Sequence, residues 1–216
     1  MAQTQVKPQD FFNLGEAELK ELKKHAIERK IPKGGYIWQA GDDPESVYIV
    51  QEGRANMVIE AAEGNASLVH FCTKAQTFCP AAAISGKPYP CSAIAATEMT
   101  VVSVPRSRFM ALFNKLPGFA RQLLTQMAPQ VCESHCMQAQ SMAPVKSRLA
   151  TALSSLNERY HGAKIPFTRQ ELANMTGTTV ETTIRTLSDW EKNGVIESQR
   201  GRIQIRQLEV LEEACA

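Results

Sequence analysis

The chain has 216 residues, enough for two ordinary domains, each with its own core. Its 24 basic and 22 acidic residues leave a net charge of only +2, which excludes a polycation that coats nucleic acid by charge alone, so any phosphate contact must come from local placement. No apolar run approaches the roughly 18 residues of a membrane span, and the opening MAQTQVKPQD lacks the apolar core of a secretory leader; a soluble cytoplasmic protein follows, in which six cysteines read as thiols or ligands rather than disulfides.

Within residues 9–31, LGEAELKELKKHAIERKI sets apolar residues at helical spacing with mixed charges outside, which predicts a short covering helix. From Pro32 to about Pro105 the period moves toward two, in ESVYIVQEGRANMVIEA, ASLVHFCTK and CSAIAATEMTVVSVP, and predicts a β-sandwich or roll. Gly34, Gly35, Gly41, Gly53 and Gly64 read as turn residues, with no phosphate-cradling motif among them. RSRFMALFNKL predicts a helix, Pro117-Gly118 a break, and Phe119 to Met142 a long helix. Along it Leu124, Met127, Val131, Ser134, Gln138 and Ser141 recur at spacings of three and four. That is the seam of a two-stranded coiled coil and predicts a homodimer, with packing on its own domain as the alternative. Pro129 lies inside this helix, removes one backbone hydrogen bond and predicts a kink. Met142-Ala143-Pro144 then makes the natural hinge. The expected organisation is a β-rich domain over 1–116, a dimerisation helix and hinge over 117–143, and a second domain over 144–216.

In the last of these, VKSRLATALSSLNERY reads as a helix and HGAKIPF as a loop and short strand. In TRQELANMTGTTVETTIRTLSDWEKN, Thr168 stands three residues before Glu171 and Thr178 three before Glu181, so two helices open with capping-box signatures across Gly177. Ile184, Leu187 and Trp190 form a stripe suited to burial, while Thr178, Thr179, Val180, Glu181, Thr182 and Arg185 cluster at the start of the second helix and point elsewhere. In a helix-turn-helix that end enters the major groove. There an arginine fork can donate to guanine and a glutamate can accept from cytosine; a capping Glu181 and a solvated Arg185 are the plainer alternative. VIESQRGRIQI follows as two strands around Arg200-Gly201, a wing whose Arg200 and Arg202 are placed either to touch phosphate or simply to be solvated.

These parts, in this order, resemble the Crp/Fnr family of dimeric bacterial transcription regulators over nearly the whole chain. IWQAGDDPESVYIVQEGRANM is similar to the family's β-roll signature, and FTRQELANMTGTTVETTIRTLSDWEKNGVI to its DNA-binding signature. The resemblance implies an α+β chain: an N-terminal β-roll of the cyclic-nucleotide-binding jelly-roll kind, a long dimerisation helix and a C-terminal winged helix-turn-helix. It also implies a two-fold symmetric double-stranded DNA site, RNA polymerase as a partner, and no enzymatic activity. Val180-Glu181 followed by Arg185 is similar to the oxygen-responsive Fnr branch, in which Glu181 and Arg185 would read base edges; Ile184 stands where that branch carries serine.

The effector pocket departs from the cyclic-nucleotide binders. The positions that in those relatives hold ribose and phosphate fall on Pro80, Ala81, Cys91 and Ser92, without the acidic residue or the arginine. Cyclic AMP is therefore not expected, because a buried phosphate without a cation bears an uncompensated desolvation cost. Sulfur takes their place: Cys79 and Cys91 at the ends of the pocket loop, Cys72 on one strand face with His70, and Cys132 and Cys136 one helical turn apart with His135 beside them. Small buried apolar side chains are the plain alternative for these cysteines. Phe78-Cys79 is similar to the segment of the carbon-monoxide-sensing haem branch that supplies a thiolate, although Ala81 replaces that branch's histidine, so a second ligand would come from His70, His135 or the N-terminus. An iron–sulfur cluster or other soft metal would use three or four of the cysteines. Direct thiol oxidation would need an exposed cysteine of low pKa, and an organic ligand would need neither. A hydrolase or reductase built on Cys132 or Cys136 with His135 lacks the oriented base and oxyanion site that such chemistry requires.

Overall fold

The computed structural model describes residues 20, 24–60 and 66–215, with the side chains of Glu133, Cys136, Met137 and Gln140 outside that description. Gly64 and most of the helix expected over 9–31 therefore lie outside the described residues. The end of that stretch differs from expectation. Lys24 and His25 are helical, but Ile27–Ile31 is a strand, β1. Ile27 and Ile31 satisfy a helical spacing of four, yet pairing along a long neighbouring strand outweighs that local preference. Contacts divide the chain into two units, Met1–Cys132 and Glu133–Ala216.

The first unit holds two four-stranded antiparallel sheets. Strands β1, β8 (Met99–Pro105), β3 (Ser46–Glu52) and β6 (Thr77–Phe78) lie side by side in one. The other runs β2 (Tyr36–Trp38), β7 (Ser92–Ala95), β4 (Ala55–Glu60) and β5 (Ala66–Cys72). Between β6 and β7 sits a short helix, α1 (Pro80–Ser85), and β8 leads into α2 (Arg106–Lys115) and the long α3 (Pro117–Ala139). The expected break at Pro117-Gly118 falls one residue earlier, since Pro117 already occupies the first turn of α3, where its missing N–H costs nothing.

The first sheet is apolar on both faces, and the alternation of β3 and β8 shows why. Val50 pairs with Val101, and both face inward to a core with Trp38, Ala55, Cys72, Phe78, Tyr89 and Ala93. Val47, Ile49, Val102 and Val104 face the opposite way, onto a second core with Phe109 of α2 and Phe119 and Leu123 of α3. Runs such as VYIV and VVSV are what a strand covered on both sides requires. Gly53, between β3 and β4, has φ +85°, and a Cβ there would lie 2.5 Å from the Glu98 carbonyl oxygen, so this turn accepts only glycine.

The second unit takes in the end of α3 and a 3-10 turn at Gln140–Met142, and continues after Pro144 with α4 (Val145–Arg159). Helices α5 (Arg169–Thr176) and α6 (Val180–Lys192), strands β9 (Ile196–Gln199) and β10 (Arg202–Ile205), and α7 (Leu208–Ala214) complete it. Leu149, Leu153 and Leu156 of α4 are buried, as are Leu172, Leu187, Trp190, Ile203 and Leu211 of the elements that follow. Ile165 adds an isolated bridge to Ile203, the short strand expected from HGAKIPF.

Candidate nucleic-acid interface and roll pocket

The geometry of α5 and α6 is fixed by hydroxyl caps. The Thr168 hydroxyl accepts from the Glu171 N–H at 3.2 Å, and the Glu171 carboxylate accepts from the Thr168 N–H at 2.9 Å, closing the expected capping box. Gly177 ends α5 with φ +60°, and its carbonyl accepts from the Arg148 guanidinium of α4. The second cap differs from the Thr178–Glu181 pairing expected. Thr179 caps α6, accepting from the Thr182 N–H at 3.2 Å, while the Thr178 N–H closes the preceding turn onto the Ala173 carbonyl. Two adjacent threonines offer the same hydroxyl, and the turn geometry selects the second.

The buried stripe of α6 also differs from expectation. Thr183, Leu187 and Trp190 are buried, and Ile184 is exposed. Thr183 tolerates burial because its hydroxyl donates to the Thr179 carbonyl at 3.0 Å. With about 100° between successive residues, Glu181, Arg185 and Ser188 form the opposite face and Ile184 lies on its flank, about 90° from the centre of the buried stripe. Glu181, Ile184 and Arg185 are exposed, and Val180 and Thr182 are half-buried beside them. Ile184, expected in the buried stripe, instead borders this surface, at the position where the resemblance sets the serine of the Fnr branch, and Ser188 lies beside it half-buried.

The wing is braced against the same helices. Arg169 at the start of α5 donates to the Ser198 hydroxyl at 3.0 Å, and the Ser198 N–H donates to the Glu191 carboxylate of α6 at 2.9 Å. Arg206 pairs with Glu197 across β9 and β10, and this holds the Glu197 carboxyl below the usual carboxylate range. Arg200 and Arg202 at the tip are exposed.

In the roll, the inner core is filled by its own aromatic rings. Trp38 stacks on Tyr89 at 4.3 Å and on Phe78 at 5.0 Å between centroids, and Tyr48 lies 5.3 Å from Trp38. The indole N–H donates to the Cys91 carbonyl, and the Tyr89 hydroxyl to the Ser46 carbonyl. Of the positions compared with the cyclic-nucleotide binders, Pro80 opens α1, Ala81 is exposed, Cys91 is buried, and the Ser92 hydroxyl accepts from the Ala40 N–H at 3.0 Å. None presents a charge to a phosphate.

Cys79 is the unusual residue of this region. It is half-buried against the aromatic core and takes a left-handed backbone, φ 50° and ψ 41°, immediately before α1. Burial pushes its thiol above the ordinary value and pushes Cys91 up to about 11. Cys72 is fully buried, with His70 two residues away on β5 opposite Met57. Cys132 and His135 are exposed on α3, and the side chain of Cys136 lies outside the described residues. Among the described residues no three of His, Cys, Asp or Glu converge as metal ligands. The donor set in the described roll therefore does not fit a multi-cysteine cluster. Along α3 the expected seam divides: Met127 packs on the outer core of the roll, whereas Leu124 and Val131 are exposed.

Comparison with known proteins agrees with this architecture. Residues 28–115 match the cyclic nucleotide-binding domain family, and residues 147–214 the Crp-like helix-turn-helix domain family. The chain is 29% identical over 214 residues to the anaerobic regulatory protein of Haemophilus influenzae, covering 94% of this chain and 82% of that one. It is 24% identical over 204 residues to the cyclic AMP receptor protein of Thermus thermophilus, covering 94% of each. The solved structure of FixK2 from Bradyrhizobium japonicum superimposes with a TM-score of 0.79 at 22% identity, over 88% of this chain and 98% of that one, a likeness of fold. With a roll at one end, a capped winged helix at the other and regulators as relatives along nearly its full length, this chain belongs to the Crp/Fnr family of transcription regulators and not to a family of enzymes.

Proposed function

We propose that this chain is a dimeric regulator that reads a two-fold symmetric DNA site with α6 and takes its signal in the roll from something other than a cyclic nucleotide. One observation carries the reading: α6 is capped and locked by one face, and its opposite face offers Glu181 as an acceptor and Arg185 as a two-pronged donor. Those are the groups that distinguish cytosine and guanine edges in the major groove. Thr178, Thr179, Val180 and Thr182 lie at the same helix end, and Arg200 and Arg202 supply phosphate contacts from the wing. Two copies joined along α3 through Leu124 and Val131 would set half-sites about 34–36 Å apart. The hinge before Pro144 separates the sensing part, 1–116 with its helix 117–143, from the DNA-binding part, 144–216. RNA polymerase as a partner follows from the family alone.

The sequence leaves a redox, gas or metal signal open, through haem, iron–sulfur or a bare thiol. Among the candidates Cys72, Cys79, Cys91, Cys132 and Cys136, we favour chemistry at one sulfur, Cys79, because it lies against the aromatic core with a left-handed backbone at the start of α1. Helix α1 is suited to relay an event there. Its Ala82 belongs to the inner core and its Ala83 to the core of α2 and α3, and the Ala83 carbonyl accepts from Arg106 of α2 at 2.6 Å. A coupling of about 1–3 kcal/mol is enough to change DNA affinity from severalfold to a hundredfold.

The test is an in vitro selection from random duplex DNA with the full chain, together with an absorption spectrum and metal analysis of anaerobically purified protein. The expected result is a palindromic site and a single-sulfur haem band; bare thiol oxidation, which needs an exposed cysteine of low pKa, is disfavoured at Cys79 because burial raises its thiol. Selection of no symmetric site overturns the DNA reading. Iron and sulfide that disappear in Cys72→Ser overturn the single-sulfur reading.

A further inference from the structure

The outward face of α6 carries one large apolar side chain among polar ones. Ile184 is 42% exposed, on the flank of the helix about 90° round from the stripe of Thr183, Leu187 and Trp190. It lies one turn beyond Glu181, one turn before Ser188 and next to Arg185, so it lines the edge of the proposed DNA-reading surface alongside both charged groups. Branching at Cβ restricts its χ1, which fixes the position of its methyl groups relative to the helix. Packing inside the second unit does not explain it, since Thr183 and Leu187 fill the buried side.

We propose that Ile184 reads the 5-methyl group of a thymine in each half-site, by van der Waals contact beside the hydrogen bonds of Glu181 and Arg185. Among the groups that base pairs present in the major groove, the thymine methyl is the apolar one. A cytosine amino group or a carbonyl oxygen held against Ile184 would lose water without gaining a partner. The position therefore selects for the methyl and against polar edges, and it names one base of the site rather than a general affinity. The proposal rests on the reading of α6 given above.

The experiment uses the full chain and the symmetric duplex that it selects from random DNA. Each thymine pair, one per half-site, is replaced in turn by deoxyuridine, which removes only the methyl. Wild type and Ile184→Ser are compared on every duplex, with Ile184→Val as a second variant that keeps a branched apolar side chain. The expected result is one thymine pair whose demethylation weakens wild-type binding about fourfold per half-site, the factor for withdrawing one methyl-sized group from a buried contact. Ile184→Ser should ignore that change, and Ile184→Val should keep part of the response. A selected site at which no demethylation separates wild type from Ile184→Ser overturns the inference and leaves the regulator reading standing. Loss of dimer by Ile184→Ser on a sizing column, with its discrimination among duplexes unchanged, also overturns it, by assigning the side chain to a second copy. Failure of wild type to select any symmetric site overturns both readings.

Discussion

The roll and the winged helix solve opposite problems with similar materials. Each is organised by residues that are usually polar or reactive, threonines at α5 and α6 and cysteines with aromatic rings in the roll. In the winged helix the threonine hydroxyls at Thr168, Thr179 and Thr183 are spent on backbone groups, which leaves the charged and apolar groups of α6 facing outward. In the roll the aromatic rings close on one another and the thiols of Cys72 and Cys91 are buried with them. A surface that reads an external partner must be rigid behind and open in front. The core of the roll is instead filled, so that a small change there displaces something.

The sharpest break of this contrast is expected at Trp38. Trp38→Ala removes the ring on which Tyr89 and Phe78 stack, and should cost about 3–5 kcal/mol of roll stability, seen as a lower denaturant midpoint with the winged-helix transition unmoved. Equal loss in both transitions would show that the two units do not unfold separately. The converse variant is Arg185→Ala. It should leave both transitions in place and weaken binding to the selected duplex by about 1–3 kcal/mol, roughly tenfold to a hundredfold, with relaxed choice at one base pair. A uniform loss across all sequences would instead make Arg185 a phosphate contact.

A smaller effect follows from Thr168→Ala, which opens the capping box of α5 and should cost about 1 kcal/mol of winged-helix stability by thermal melting. No change would assign that helix start to packing alone. The mildest difference should appear only in alkaline solution. Burial raises the Cys91 pKa to about 11, so the stability this thiol contributes is full below the ordinary thiol value near 9 and is lost as pH rises toward 11. Cys91→Ala should flatten the alkaline fall of roll stability relative to wild type, and parallel curves would contradict the burial of this thiol.

The two regions also differ in how legible they are from sequence. The α5 capping box, the turn at Gly177 and the wing around Arg200-Gly201 follow from residues a few positions apart, and all three are found. The errors there are local. Hydrophobicity favours Ile184 over Thr183 for burial, but the hydrogen bond that satisfies Thr183 is made by a carbonyl four residues back, which composition does not reveal. In the roll the strands are legible by their alternation, whereas the meeting of Trp38, Tyr48, Phe78 and Tyr89 is not. Those rings come from separate segments, and only sheet register brings them together. For the same reason IERKI reads as helix until its pairing with β8 is known. The cysteines were visible as a group, but periodicity does not say that Cys132 is exposed while Cys72 is buried.

The left-handed backbone at Cys79 has a consequence for how this protein can be altered. Such a conformation is unfavourable for a residue with a Cβ, by about 1 kcal/mol or more, and natural to glycine. Cys79→Gly should therefore hold its melting temperature, or raise it, while deafening the regulator, whereas Cys79→Ala keeps the strain and removes the same sulfur. If the two variants are equally unresponsive and the glycine form is the hardier, the sulfur stands at this corner for what it detects rather than for what it holds together.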